Sequence, residues 1–152
     1  MEEKGVTPRI LLLSLSACLI LLQLATGIGL FYLHLGFSPE SVAAFYRGNM
    51  EMFAAPKTVQ GLLKTTLPHL VAMTVVGIFL LHLLQCDKGC KGMMAGLFFS
   101  GMVLDIGSGY LILLHPLFAW LKLAGFVMLM SGASVAAWYL VRAATKSRVN
   151  KD

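Results

Sequence analysis

The chain has 152 residues, 58% of them apolar and 12% charged, with a formal net charge of +5 and a mean hydropathy of +0.81. A soluble domain of this size would carry a charged face on every helix, whereas long stretches here carry no charge, which excludes a water-soluble globule and points to lipid as the solvent. The positive balance does not mark a nucleic-acid-binding protein, because no basic face and no aromatic-basic alternation occurs away from the ends, so no nucleic acid is expected as a partner.

The expected fold is all-α: one transmembrane domain over residues 1–152, built as an integral membrane four-helix bundle of four transmembrane helices plus a short outer interfacial helix. A span needs about 20 apolar residues. Residues 10–34 meet that length, interrupted by Ser14, Ser16, Gln23 and Thr26, and the run is too long for the core of a signal peptide. Leu15-Ser16-Ala17-Cys18 matches a lipoprotein cleavage box, but the residues after Cys18 stay apolar instead of becoming a polar tether, so an uncleaved span is expected.

The outer loop, 37–64, contains a helix start. Ser38 can serve as N-cap, Pro39 as the first helical residue and Glu40 as an acid in the positive first turn. From there Val42, Phe45, Tyr46 and Phe53 recur at helical spacing, and Arg47 with Glu51 forms an i,i+4 pair on another face. This reads as a helix lying on the outer membrane surface. The second span is expected at about 65–84 with Pro68 in its first turn, and the third at about 93–114. His115-Pro116 makes a turn so short that the third and fourth spans must be antiparallel neighbours, and the fourth follows at about 117–140. Trp120 and Trp138 near its ends fit the two interfacial belts.

Charge sets the orientation. Lys4, Arg9, Lys88, Lys91, Arg142, Lys146, Arg148 and Lys151 share one side of a four-span arrangement, against Arg47, Lys57, Lys64 and Lys122 for the other. By the positive-inside rule both termini and the Cys86–Cys90 turn are cytoplasmic, in what is expected to be a bacterial inner membrane. The three cysteines then lie in a span or on the reducing side, so no disulfide is expected, and no CxxCH is present for covalent c-type haem attachment. Cys86-Asp87-Lys88-Gly89-Cys90 has CxxxC spacing with no second pair and no histidine in the turn, which falls short of a zinc site and reads as a turn with two reduced thiols, one of them open to acylation.

Counted from the outer surface, His34, His69 and His115 fall in one layer. Neutral imidazole is a strong ligand for haem iron and histidine is uncommon in spans, so His69 with His34 or His115 could hold the iron of one haem b; the competing reading is that all three are interfacial. Gly27 and Gly29, with Gly107 and Gly109, would admit a flat macrocycle, or simply close helix packing. Arg47, Lys64 and Lys122 lie where propionates would emerge. His82 sits thirteen residues after His69, a turn of about 220°, so it faces elsewhere; its possible partners, Met93 and Met94, more commonly pack.

Asp105 is the acid deepest in a span, and Gln23 lies at nearly the same depth. Gly101, Ser108 and Gly109 share its face, so Asp105 and Gln23 could exchange protons with a quinone headgroup, or Asp105 could be protonated and hydrogen-bonded to Gln23. An Asp105–Lys122 ion pair is disfavoured by the lean of helical side chains, which sends Lys122 outward to snorkel and Asp105 inward.

In architecture the chain resembles the small membrane anchor subunits of b-type cytochrome complexes, on the evidence of His34, His69, His82, His115 and the glycines of the first and third spans. The resemblance implies a haem-b-binding, quinone-interacting electron-transfer subunit of a larger membrane or periplasmic redox complex, not catalytic alone. The His69–His82 spacing departs from the two-haem pattern of such proteins. Two other classes remain: a cofactor-free anchor or scaffold subunit, and a small proton-coupled transporter using Asp105.

Overall fold

The computed structural model describes residues 8–49, 54–84 and 86–149, without the side chains of 147–149. Lys4, Glu51, Phe53, Lys151 and the side chain of Arg148 lie outside the described residues. Five α-helices follow one another: α1 (Pro8–His34), α2 (Pro39–Arg47), α3 (Val59–Leu83), α4 (Lys88–Leu114) and α5 (Ala119–Val149), with a short 3-10 turn at Pro116–Phe118 before α5. Four of them are long and apolar enough to cross a membrane, and the protein is an all-α integral membrane bundle.

Three of the helices start where a side chain takes over an orphan amide. Ser38 accepts from the Ser41 N–H at 3.1 Å and Pro39 follows it, so α2 begins as expected. Thr58 accepts from the Gly61 N–H, and α3 therefore begins at Val59, before the apolar run itself. Pro68 consequently lies inside α3 and not in its first turn. Asp87 accepts from the Cys90 N–H at 3.2 Å, which makes the Cys86–Cys90 segment the cap of α4. The α1–α2 turn depends on Gly36, whose φ of +72° is costly for any residue with a Cβ. Removing the α2 cap in Ser38→Ala should cost about 1 kcal/mol, seen as faster hydrogen exchange of the α2 amides with the rest of the bundle unchanged.

The chain runs up α1, down α3, up α4 and down α5, and around the bundle the order is α1, α5, α4, α3. Within its most apolar stretch α5 is 44% buried and α3 only 17%, so the other helices gather around α5 while α3 turns most of its surface to lipid. The α4–α5 seam is the closest. A Cβ added at Gly101 would stand 2.5 Å from the Leu129 backbone nitrogen, and one at Gly125 would stand 2.5 Å from that of Asp105. Small residues thus bring the two backbones into contact, the usual basis of helix association where no hydrophobic force distinguishes helix from lipid.

The core has two parts. Leu13, Ala17, Met73, Leu80, Met94, Phe98, Ala137 and Leu140 fill the half toward the α3–α4 turn. At the other end Phe31, Val42, Tyr46, Leu62, Ile112 and Phe126 gather beneath α2. The helix α2 is therefore not merely laid on a membrane surface: Val42 is fully buried and Tyr46 nearly so. Trp120 and Trp138 are both exposed on α5, eighteen residues or about 27 Å apart along the axis, close to the thickness of a hydrocarbon core.

Candidate functional site

α1 and α3 are joined by side chains, not by close backbone packing. Gln23 Nε2 donates to Met73 Sδ at 3.1 Å midway along the bundle, and toward the α2 end the two helices leave a cavity of about 640 Å³ between themselves, α4 and α5. That volume lies in the range of sites for sizeable organic ligands. Two smaller cavities, one between α1, α3, α4 and α5 and one between α3, α4 and α5, hold little more than a water molecule.

The large cavity brings together residues far apart in sequence. Gln23, Gly27, Phe31 and His34 come from α1, Tyr46 from α2, Thr66, His69 and Met73 from α3, Asp105 and Gly109 from α4, and Lys122, Phe126 and Met130 from α5. The wall is chiefly apolar, with polar groups at a few points. Phe31 and Phe126 stack with centroids 3.9 Å apart and close the α1–α5 side. On the α3–α4 side Thr66 and Tyr110 hydroxyls share a hydrogen bond of 2.6 Å.

Of the three histidines expected in one layer, His34 and His69 both line this cavity, from helices that face each other across it. His115 does not. It begins the turn into α5, where its Nδ1 accepts from the Leu117 N–H at 3.2 Å. Arg47, the last residue of α2, is exposed and also outside the lining. Gly27 and Gly109 are at the wall, but the space in front of Gly109 is taken by the Tyr46 ring, 3.2 Å from where a Cβ would be; nothing approaches Gly29 or Gly107.

The ion pair that side-chain lean disfavours is made. Lys122 Nζ stands 2.9 Å from Asp105 Oδ1 and donates to the Asp105 backbone oxygen at 2.8 Å. Both side chains are nearly buried, at 10% and 13% exposure. Lys122 does not snorkel outward because α2 covers that route, with the Tyr46 ring centroid 6.0 Å from the ammonium. Gly125, one turn further along α5, lets α4 approach so closely that Asp105 is within reach despite the opposing lean. In a medium this poor in water an opposite charge at 3 Å outweighs the rotamer preference. The pair is not fully satisfied: Oδ1 is buried close to Nζ without the alignment of a hydrogen bond. Gln23, spent on Met73, does not bond Asp105.

Tyr46 and the glycines of the α4–α5 seam are the parts of the site that sequence reasoning missed. Burial raises the Tyr46 phenol above its ordinary pKa, the Lys122 ammonium opposing this and the Asp105 carboxylate adding to it, so the hydroxyl at the cavity roof is a neutral donor. Its signal was its place four residues after Val42, on the same face of α2.

No curated protein and no solved structure matches the chain. A family profile does, over residues 36–150, which takes in α2 to α5 and with them His69, Asp105 and Lys122. On that match, and on four helices fit to span a bilayer, the chain belongs to the Aq_1264_TM family, a transmembrane helical domain.

Proposed function

We propose that the chain is a haem-b-binding, quinone-interacting membrane subunit that passes electrons between the quinone pool and a partner redox protein. The observation that carries this reading is that His34 and His69 line one large apolar cavity from two helices that do not close on each other. Two packed helices would have filled that space with side chains; a gap with an imidazole on each side is what a planar macrocycle needs.

The residues present fit such a group. His34 and His69 would hold the iron, the aromatic pair Phe31–Phe126 would supply a flat apolar wall, and Gly27 removes a side chain from the α1 face. When bound, the haem would supply reversible one-electron chemistry. The chain's own work is to exclude water, hold two ligands at fixed separation and manage charge nearby. Arg47 at the end of α2 and Lys64 in α3 remain the candidate cations for a propionate, since Lys122 is committed to Asp105.

A quinone headgroup reaching the same cavity from the bilayer would meet the Asp105 carboxylate and the Tyr46 hydroxyl in its lining, one group to take a proton and one to donate a hydrogen bond. Because Lys122 already neutralises Asp105, the site is poorly suited to a transported cation. We orient the cavity toward the outer face by the basic residues of the opposite end, with a periplasmic redox partner on the α2 side.

The test is a reduced-minus-oxidised spectrum of the purified chain. Wild type should show a b-type α band. His69→Ala and His34→Ala should each lose it, while His115→Ala, which loosens only the turn into α5, should keep it. If wild type supplemented with haem gives no band, the histidines are interfacial, and a cofactor-free anchor subunit is the reading that replaces this one.

A further inference from the structure

The opposite end of the bundle holds a separate cluster, made of sulfur. Cys86 lies in the α3–α4 turn, ahead of the Asp87 cap, Cys90 in the first turn of α4, and Met94 one turn further on; the i, i+4 spacing puts Cys90 and Met94 on one face of α4. Cys90 Sγ stands 3.7 Å from Met94 Sδ, and the Cys86 and Cys90 thiols are close enough to perturb each other. Both cysteines are free thiols, half-buried, and Met94 is fully buried beneath them. Tyr139 of α5 lies on the other side of Cys90.

Three sulfurs bonded at roughly 2.3 Å to one metal in a plane lie about 4 Å apart. The Cys90–Met94 separation is close to that before any metal is added. Two thiolates and a thioether form a soft donor set, which selects Cu(I) over the harder divalent ions. Zinc would need a fourth nitrogen, sulfur or oxygen ligand, and among the described residues no group of three His, Cys, Asp or Glu is placed to hold a metal. The Asp87 carboxylate is engaged by the Cys90 amide. Burial pushes the Cys86 thiol up, with Lys91 in the first turn of α4 opposing it, so that thiol rests protonated until a metal displaces the proton.

We propose that Cys86, Cys90 and Met94 form a binding site for one Cu(I) ion at the α3–α4 end of the bundle. On binding, each thiol gives its proton to solvent, two copper–thiolate bonds and one thioether bond form, and the copper stays Cu(I), so no oxidant or reductant is consumed. The site is independent of the histidine cavity and stands or falls without it.

The experiment titrates the full-length chain, reduced and in detergent, with Cu(I) in competition with a chromogenic Cu(I) chelator. Wild type should withdraw one Cu(I) per chain, and X-ray absorption should find three sulfurs at about 2.3 Å. Met94→Leu, which keeps the core filled, should weaken binding about tenfold or more and leave two sulfurs around the metal. Cys90→Ser and the Cys86→Ser/Cys90→Ser double variant should withdraw none, while eluting as wild type does. The proposal is overturned if wild type fails to compete with the chelator, if the double variant competes as well as wild type, or if Met94→Leu leaves affinity and sulfur count unchanged.

Discussion

Gly125→Val should prevent the bundle from assembling as it does in the wild type. The added Cβ would lie 2.5 Å from the Asp105 amide nitrogen and 2.9 Å from the Leu104 carbonyl carbon. These are backbone atoms, so no rotamer change relieves the overlap. Non-bonded carbon contacts sit near 3.5–4.0 Å, and α4 and α5 would have to move apart by roughly 1 Å along their tightest seam. Overpacking a core typically costs about 1–3 kcal/mol, and this variant adds a second loss, since the two contacts of Lys122 Nζ with Asp105 depend on the same approach. The expected result is a thermal midpoint in detergent lowered by about 6–12 °C, what a loss near 3 kcal/mol gives in a chain of this size, with much of the protein aggregated on size exclusion. Gly107→Ala is the control. Nothing lies within 4 Å of its added Cβ, and alanine favours helix over glycine by up to about 1 kcal/mol, so its midpoint should hold or rise. A Gly125→Val protein that melts with the wild type would mean that the seam is not where the fold is held.

The helices themselves were legible because lipid imposes a length and a polarity that hydropathy reads directly. The ends of α1 and α4 fall at His34 and Leu114 as the sequence suggests. The start of α3 was not legible in the same way: Gln60 and Lys64 end the apolar run, but the helix continues past it to the Thr58 cap. Hydropathy marks where a helix meets lipid, whereas capping marks where it stops. Of the order of helices around the bundle only the α4–α5 adjacency was legible, from the short His115-Pro116 turn. Spans that are apolar on every side give no clue to which face meets which neighbour, and here the decision rests on where Gly101, Gly125 and Gly132 allow contact. The candidate site was half legible. His34, His69, Gln23, Asp105 and Lys122 were all singled out, and all line one cavity. The partner of Asp105 was misjudged because side-chain lean is a property of an isolated helix, while Tyr46, on an element read as surface-bound, closes the outward path for Lys122.

Lys122→Met should be the most damaging single change that leaves the backbone packing intact. It would strand the Asp105 carboxylate at 13% exposure in a wall of apolar side chains. Breaking a buried pair from one side costs about 3–5 kcal/mol, whereas replacing both partners with uncharged groups is often neutral or stabilising. The double variant Asp105→Asn/Lys122→Met should therefore recover most of the stability lost in Lys122→Met, and the recovery, read as a coupling between the two sites in detergent melts, is the signature of the pair. A double variant no more stable than the single one would mean that the two groups do not interact. The same protein separates structure from function. It keeps His34, His69 and the shape of the cavity, so on the reading given above it should retain the b-type α band. It has lost the carboxylate offered to a quinone headgroup, so reduction of the bound haem by a quinol should slow at least tenfold. A double variant that is stable, keeps the band and is reduced by quinol at the wild-type rate would confine Asp105 and Lys122 to holding α4 against α5, and would remove the quinone from this cavity.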